Sequence, residues 1–135
     1  MDTILERSQC NLLFTTSWMT LFSAIYCYYR GHGWITAFPS SIWATSILYW
    51  WHPDYSWRRY LDIAIVNSSL LTQHILVYNA EHAVPYYVFC LTGAGSYVLS
   101  IFFYRANEFW ASTIAHAALH ILTNIGTLIL YSGKV

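Results

Sequence analysis

The chain has 135 residues, enough for one domain, with a formal net charge of zero and only 9% charged side chains. An ordinary soluble domain carries roughly 25%, and no basic run or basic amphipathic helix is present, so nothing in the charge calls for nucleic acid as a partner. The charges cluster as Asp2, Glu6, Arg7, Arg30, Asp54, Arg58, Arg59, Asp62, Glu81, Arg105, Glu108 and Lys134, leaving the stretches 8–29, 31–53, 63–80, 82–104 and 109–133 with no Asp, Glu, Lys or Arg.

A helix crosses a bilayer with about 20 apolar residues. The five stretches contain 22, 23, 18, 23 and 25 residues, so each is long enough or nearly so. The expectation is an all-α, polytopic transmembrane helical bundle with about five spans and a single domain over 1–135. The mean hydropathy of +0.41 is modest because 12 Tyr and 7 Trp score low. These aromatics, Trp50, Trp51, Trp57 and Trp110 among them, gather near the ends of the stretches, as membrane–water belts do.

In chain order, the first span is expected at about 11–29. Asp2 and Glu6 offset Arg7 ahead of it, and the apolar run is too long for a signal-peptide core, so it reads as a span rather than a cleaved leader. Gly31-His32-Gly33 makes a turn into the second span at 34–52. His52-Pro53-Asp54-Tyr55-Ser56 is the next turn, with Pro53 as its stop signal. The third span, 60–79, contains Asn67-Ser68-Ser69, a glycosylation sequon inside an apolar window and so expected to stay unmodified. Asn79-Ala80-Glu81-His82 leads to the fourth span at 84–104, where Pro85 suits a first helical turn. Gly93-Ala94-Gly95-Ser96 lies in mid-span and reads as small-residue packing, not a phosphate loop. Arg105-Ala106-Asn107-Glu108 leads to the fifth span at 109–131.

Such short connections make successive helices antiparallel neighbours. Arg7, Arg58, Arg59 and Arg105 then share one end, against Arg30 and Lys134 at the other, and the positive-inside rule puts the N-terminus in the cytoplasm. Arg58-Arg59 reads as an interfacial anchor able to hold a lipid phosphate. Cys10, Cys27 and Cys90 have no paired spacing and read as small apolar residues.

The strongest chemical signal is His116-Ala117-Ala118-Leu119-His120. Residues at i and i+4 share a helix face, so the pair suits one metal ion or, equally, hydrogen bonds to neighbouring helices beside an Ala111, Ala115, Ala118 packing ridge. Counting from the Arg-rich end, both histidines lie roughly 10–17 Å deep. His52 and Asp62 belong to the same half of the bundle. Three histidines with an open fourth position form a catalytic zinc set, beside which Asp62 reads as an orienting partner or as the base for bound water. His74 lies about 18 Å beyond Asp62 along its helix. With His116 or His120 it offers the alternative of two axial ligands to a haem. A non-catalytic membrane protein is the remaining alternative.

The segment from His116 through Leu122-Thr123-Asn124-Ile125-Gly126 resembles the last-helix motif of alkaline ceramidases, H-x-A-x-H-x-L-T-x-x-G, within the CREST superfamily of membrane hydrolases. His52, then Asp62, then His116 and His120 follow in that family's order. The resemblance implies a zinc-dependent hydrolase acting on a lipid amide or ester, with zinc on His52, His116 and His120, and Asp62 near the bound water. The family has seven helices where about five are expected here. Its serine, four residues before the histidine, corresponds to Leu48, with Ser46 or Thr45 the nearest replacement for stabilising an oxyanion. The implied partners are membrane lipids and a lipid substrate, and so small a bundle leaves room for a homo-oligomer that completes the site.

Overall fold

The computed structural model describes residues 3–135; the charge of Asp2 lies outside them. The described residues form α-helices and one 3₁₀ turn, with no strand: α1 (Arg7–Ser17), α2 (Met19–Tyr29), a 3₁₀ turn (Gly33–Thr36), α3 (Ala37–Trp50), α4 (Trp57–Leu76), α5 (Ala83–Arg105) and α6 (Phe109–Ser132). The expected third span starts three residues too late and ends three too late, because Val77, Tyr78 and Asn79 already belong to the turn.

α1 and α2 meet at Trp18, which keeps right-handed helical dihedrals while its N–H bonds back to Thr15. The cause is local. The side chains of Thr15, Thr16 and Ser17 hydrogen-bond to the carbonyls of Asn11 and Leu13, and such back-bonding loosens the helical ladder. α2 and α5 stop in the same way. Gly31 (φ +76°) and Asn107 (φ +61°) take the left-handed position. The following amides, of His32 and Glu108, then bond to Cys27 and Phe103, closing both ends as Schellman motifs.

α5 and α6 form the tightest pair, an antiparallel hairpin along their whole length. Gly93 and Gly126 make it possible: a Cβ on Gly93 would lie 2.9 Å from Thr123 Cγ2, and one on Gly126 would lie 2.8 Å from Phe89 Cβ. Ser96 and Ser112 add hydrogen bonds across the pair, to the carbonyls of Ala115 and Ser100. The small-residue reading of 93–96 therefore holds at Gly93 and Ser96, whereas Gly95 faces open space. α1 and α2 lie against α6 and α3, and α4 packs mainly on α3.

This bundle buries both kinds of side chain, with apolar clusters around Leu13, Tyr49 and Trp50 and around Cys27, Val77, Tyr86, Leu130 and Tyr131. Its buried residues include Gln9, Ser23, Ser46, Asp62, Gln73, Asn124 and Thr127, while Phe22, Ile25, Leu71, Ile75, Val84, Leu91 and Phe102 are exposed. Two helices, α5 and α6, are individually long and apolar enough to cross a membrane. α1 and α2 are 11 residues each and α3 is 14, and α4 carries Arg58, Arg59, Asp62, Gln73 and His74. The three cysteines are buried and unpaired. Ser40, Ser41, Ser68 and Asn67 bond to carbonyls of their own helices.

Candidate functional site

Because α4 leans on α3 and not on the α5–α6 hairpin, a gap of about 540 Å³ remains inside the bundle. One end is closed by hydrogen bonds from α4 to the hairpin. Gln73 Nε2 donates to the Tyr86 hydroxyl at 3.0 Å, and the Tyr131 hydroxyl donates to Gln73 Oε1 at 2.7 Å. Tyr55, Arg59, Tyr104 and Arg105 line the other end, where Tyr55 and Arg105 are exposed.

Four residues singled out from the sequence line this one cavity: Ser46 from α3, Asp62 from α4, and His116 and His120 from α6. Asp62 is 9% exposed. Its Oδ1 accepts hydrogen bonds from Ser46 Oγ at 2.9 Å and Thr45 Oγ1 at 3.0 Å. Its second oxygen has no protein partner among the described residues yet is not sealed from the cavity. Thr45 and Ser46 both reach it because the α3–α4 turn is tight and the helices are antiparallel. The Ser46 proton is thus committed to Asp62, while Thr45 shares its own with the Ser41 and Ile42 carbonyls, and Ser46 holds the carboxylate in place rather than standing free for an oxyanion.

The His116 and His120 rings stand 5.0 Å apart, nearly perpendicular. Trp50 and Tyr97 meet His116 edge to face at 5.2 and 5.4 Å, and no protein group hydrogen-bonds to it among the described residues. His120 Nδ1 lies 2.7 Å from Thr16 Oγ1, a contact that orients the ring and leaves its Nε2 without a protein partner. Asn124, one turn further on the same face, donates to the His120 carbonyl at 2.7 Å and accepts from Ser23 at 2.7 Å.

His52 does not join them. α3 ends at Trp50, His52 is absent from the cavity wall, and its carbonyl is held by Arg58 at 2.9 Å in the outer turn. Among the described residues no group of three His, Cys, Asp or Glu side chains is close enough together to hold a metal ion. The expected zinc set of His52, His116 and His120 is therefore not assembled: the α6 pair offers two donors, and Trp50 stands where the third was expected. His74, the other half of the expected haem pair, is absent from the cavity wall, its Nδ1 lying 2.6 Å from the Leu70 carbonyl and 3.0 Å from the Tyr86 hydroxyl.

Arg58 and Arg59, adjacent in sequence, part company. Arg58 pairs with Asp54 at 3.1 Å in the turn, whereas Arg59 lines the cavity, its guanidinium over the rings of Tyr55 and Tyr60. The cavity role of Arg105, Tyr97 and Thr16 was not foreseen from the sequence. Asn124 carried a signal there, standing at i+4 from His120. No protein-family model, curated protein or solved structure matches the chain.

Proposed function

We propose that the chain is a five-span membrane hydrolase that takes an amphiphilic lipid into the α3–α4–α6 cavity and cleaves its amide or ester bond. The five spans would be α1 with α2, the 3₁₀ turn with α3, then α4, α5 and α6. From Arg7 to Tyr29 the first reaches about 34 Å, enough for the hydrocarbon core. Apolar side chains on the outside with serine, glutamine, asparagine and aspartate within is the arrangement a lipid solvent favours, where buried polar groups hold helices together. The N-terminus and the Arg59–Arg105 end would face the cytoplasm. Tags on the two termini should then be digested by protease from opposite faces of sealed vesicles.

The observation that carries the hydrolase reading is the meeting of a hydroxyl-anchored carboxylate and two histidines in one water-sized or larger space. The open oxygen of Asp62 would take a proton from a cavity water as that water attacks the carbonyl carbon. A neutral histidine N–H, from His116 or His120, would donate to the developing oxyanion. As the C–N or C–O bond breaks, Asp62 would return the proton to the departing amine or alkoxide. The steps fall to Asp62 and the two α6 histidines because His52 stands outside the cavity.

The test is fatty-acid release from ceramides and acyl glycerolipids by the full chain in mild detergent, measured by mass spectrometry. Release should fall by a factor on the order of 100 or more in Asp62→Asn and in His116→Ala. Folded protein that releases no fatty acid from any of these lipids would leave a non-catalytic lipid-binding protein in place of the hydrolase.

A further inference from the structure

We infer that the cavity selects amphiphiles with an anionic, phosphate-bearing head, gripped at the cavity entrance by Arg59 and Arg105. The inference rests on the proposed lipid-binding role of the cavity and names the class of lipid it takes.

Of the six cations, only Arg58 is ion-paired among the described residues, and only Arg59 and Arg105 line the cavity. Arg58 is paired with Asp54 and also donates to the carbonyl of His52. Arg30 donates to the Ser132 carbonyl at the opposite end. Arg59 and Arg105 both line the cavity, and among the described residues neither has a carboxylate within ion-pair distance. They come from different helices, α4 and α5, on the two sides of the gap. Arg59 is half-buried and Arg105 exposed, so an anion at this end of the cavity can reach both, and guanidinium recognises phosphate through paired N–H donors. Tyr55 and Tyr104 stand beside them, adding hydroxyl donors.

The geometry below the arginines suits the remainder of such a molecule. Asp62 is one helical turn inside Arg59, about 4.5 Å along α4. Tyr97, against His116, is about 12 Å inside Arg105 along α5. A head held at the arginines thus places a bond one short backbone away beside Asp62 and His116. Ile42, Val66, Leu70 and Leu119 line the cavity further in and accept an acyl chain.

Binding to the full chain in detergent, read by native mass spectrometry, separates the possibilities with three probes: a diacyl lipid with a phosphomonoester head, the diacylglycerol with identical chains, and inorganic phosphate. The phosphate lipid should bind about tenfold more tightly than the diacylglycerol. Arg59→Gln and Arg105→Gln should each weaken it roughly fivefold or more, since a basic side chain near an anionic lipid is worth about 1 kcal/mol. Arg59→Lys should recover part of the loss, and Arg30→Gln should change nothing. Equal binding of the two lipids, unaltered in the arginine variants, would overturn the head-group assignment while keeping the cavity as a lipid site. Inorganic phosphate competing as well as the phosphate lipid would overturn the choice of an amphiphile. Binding of neither lipid would defeat the lipid reading of the cavity as a whole, and this inference with it.

Discussion

Ser46 donates its hydroxyl proton to Asp62 across the α3–α4 interface at 2.9 Å, and Thr45 donates to the same oxygen at 3.0 Å. Two helices are thereby tied at the point where a buried acid meets the cavity. Removing one donor from a buried carboxylate costs about 1–3 kcal/mol, so Ser46→Ala should lower the melting temperature by several degrees. Asp62→Asn keeps an acceptor for both hydroxyls and should melt closer to the parent while losing turnover. Thermal denaturation in detergent reads the order. If Ser46→Ala melts like the parent, the hydroxyl is not anchoring the carboxylate.

The limits of the helices were legible where turn residues gather between them, and Gly31 and Asn107 occupy the left-handed closing positions their residue types favour. The break at Trp18 was written in Thr15-Thr16-Ser17, but only as a tendency that the neighbouring helices had to select. Ser46, Asp62, His116 and His120 converge because short turns stack their helices, which the sequence also implied. His52 stands two positions past the end of α3 and does not line the cavity. A helix that stops at Trp50 sends His52 outward into the turn, and Trp50 packs on His116 instead. Arg105 was illegible as a cavity residue, since its place depends on α4 standing away from α5, a property of the assembled bundle and of no local pattern.

The α5–α6 hairpin is expected to be the region least tolerant of added volume. At Gly126 a new Cβ meets Phe89 Cβ at 2.8 Å and the Tyr86 carbonyl at 3.2 Å, so backbone must move. Gly126→Ala should cost about 1–3 kcal/mol. At Gly93 the nearest contact is a threonine methyl, which can shift, so Gly93→Ala should cost less. Gly95 opens onto free space, and Gly95→Ala should be neutral or stabilising by up to about 1 kcal/mol from helix propensity. Three melting curves settle this order, and a Gly95→Ala protein as damaged as Gly126→Ala would contradict the packing described here.

The α3–α4 turn is expected to loosen in acid. Hydrogen bonding to Ser56 holds the Asp54 carboxyl below its ordinary value of 3.8, with Arg58 adding to the effect. A depressed carboxylate contributes stability above its ordinary pKa and loses it as pH falls through the lower folded value. Amide exchange at Ser56, whose N–H bonds to Asp54 Oδ1 at 3.1 Å, should stay slow down to about pH 4 and quicken below. Asp54→Asn should exchange faster at neutral pH and show no such transition. A variant indistinguishable from the parent at pH 7 would assign the turn's order to Pro53 and the Ile4–Pro53 backbone bond instead.

The two kinds of histidine separate most sharply in function. His52 is held outside the cavity, with Arg58 on its carbonyl, while His116 opens into the cavity without a protein hydrogen bond and His120 is oriented by Thr16. If the chemistry uses the cavity pair, His52→Ala should keep lipid turnover within about twofold, His116→Ala should lose it by about 100-fold or more, and Thr16→Val, which frees the His120 ring, should lose about tenfold. Rates must be compared among variants whose melting temperatures match, because Trp50, Tyr97 and His120 all pack on His116. A folded His52→Ala protein as inactive as His116→Ala would mean that the working enzyme draws His52 inward. Metal content of both variants, measured without chelator, would then show whether His52, His116 and His120 share an ion once α3 extends to include His52.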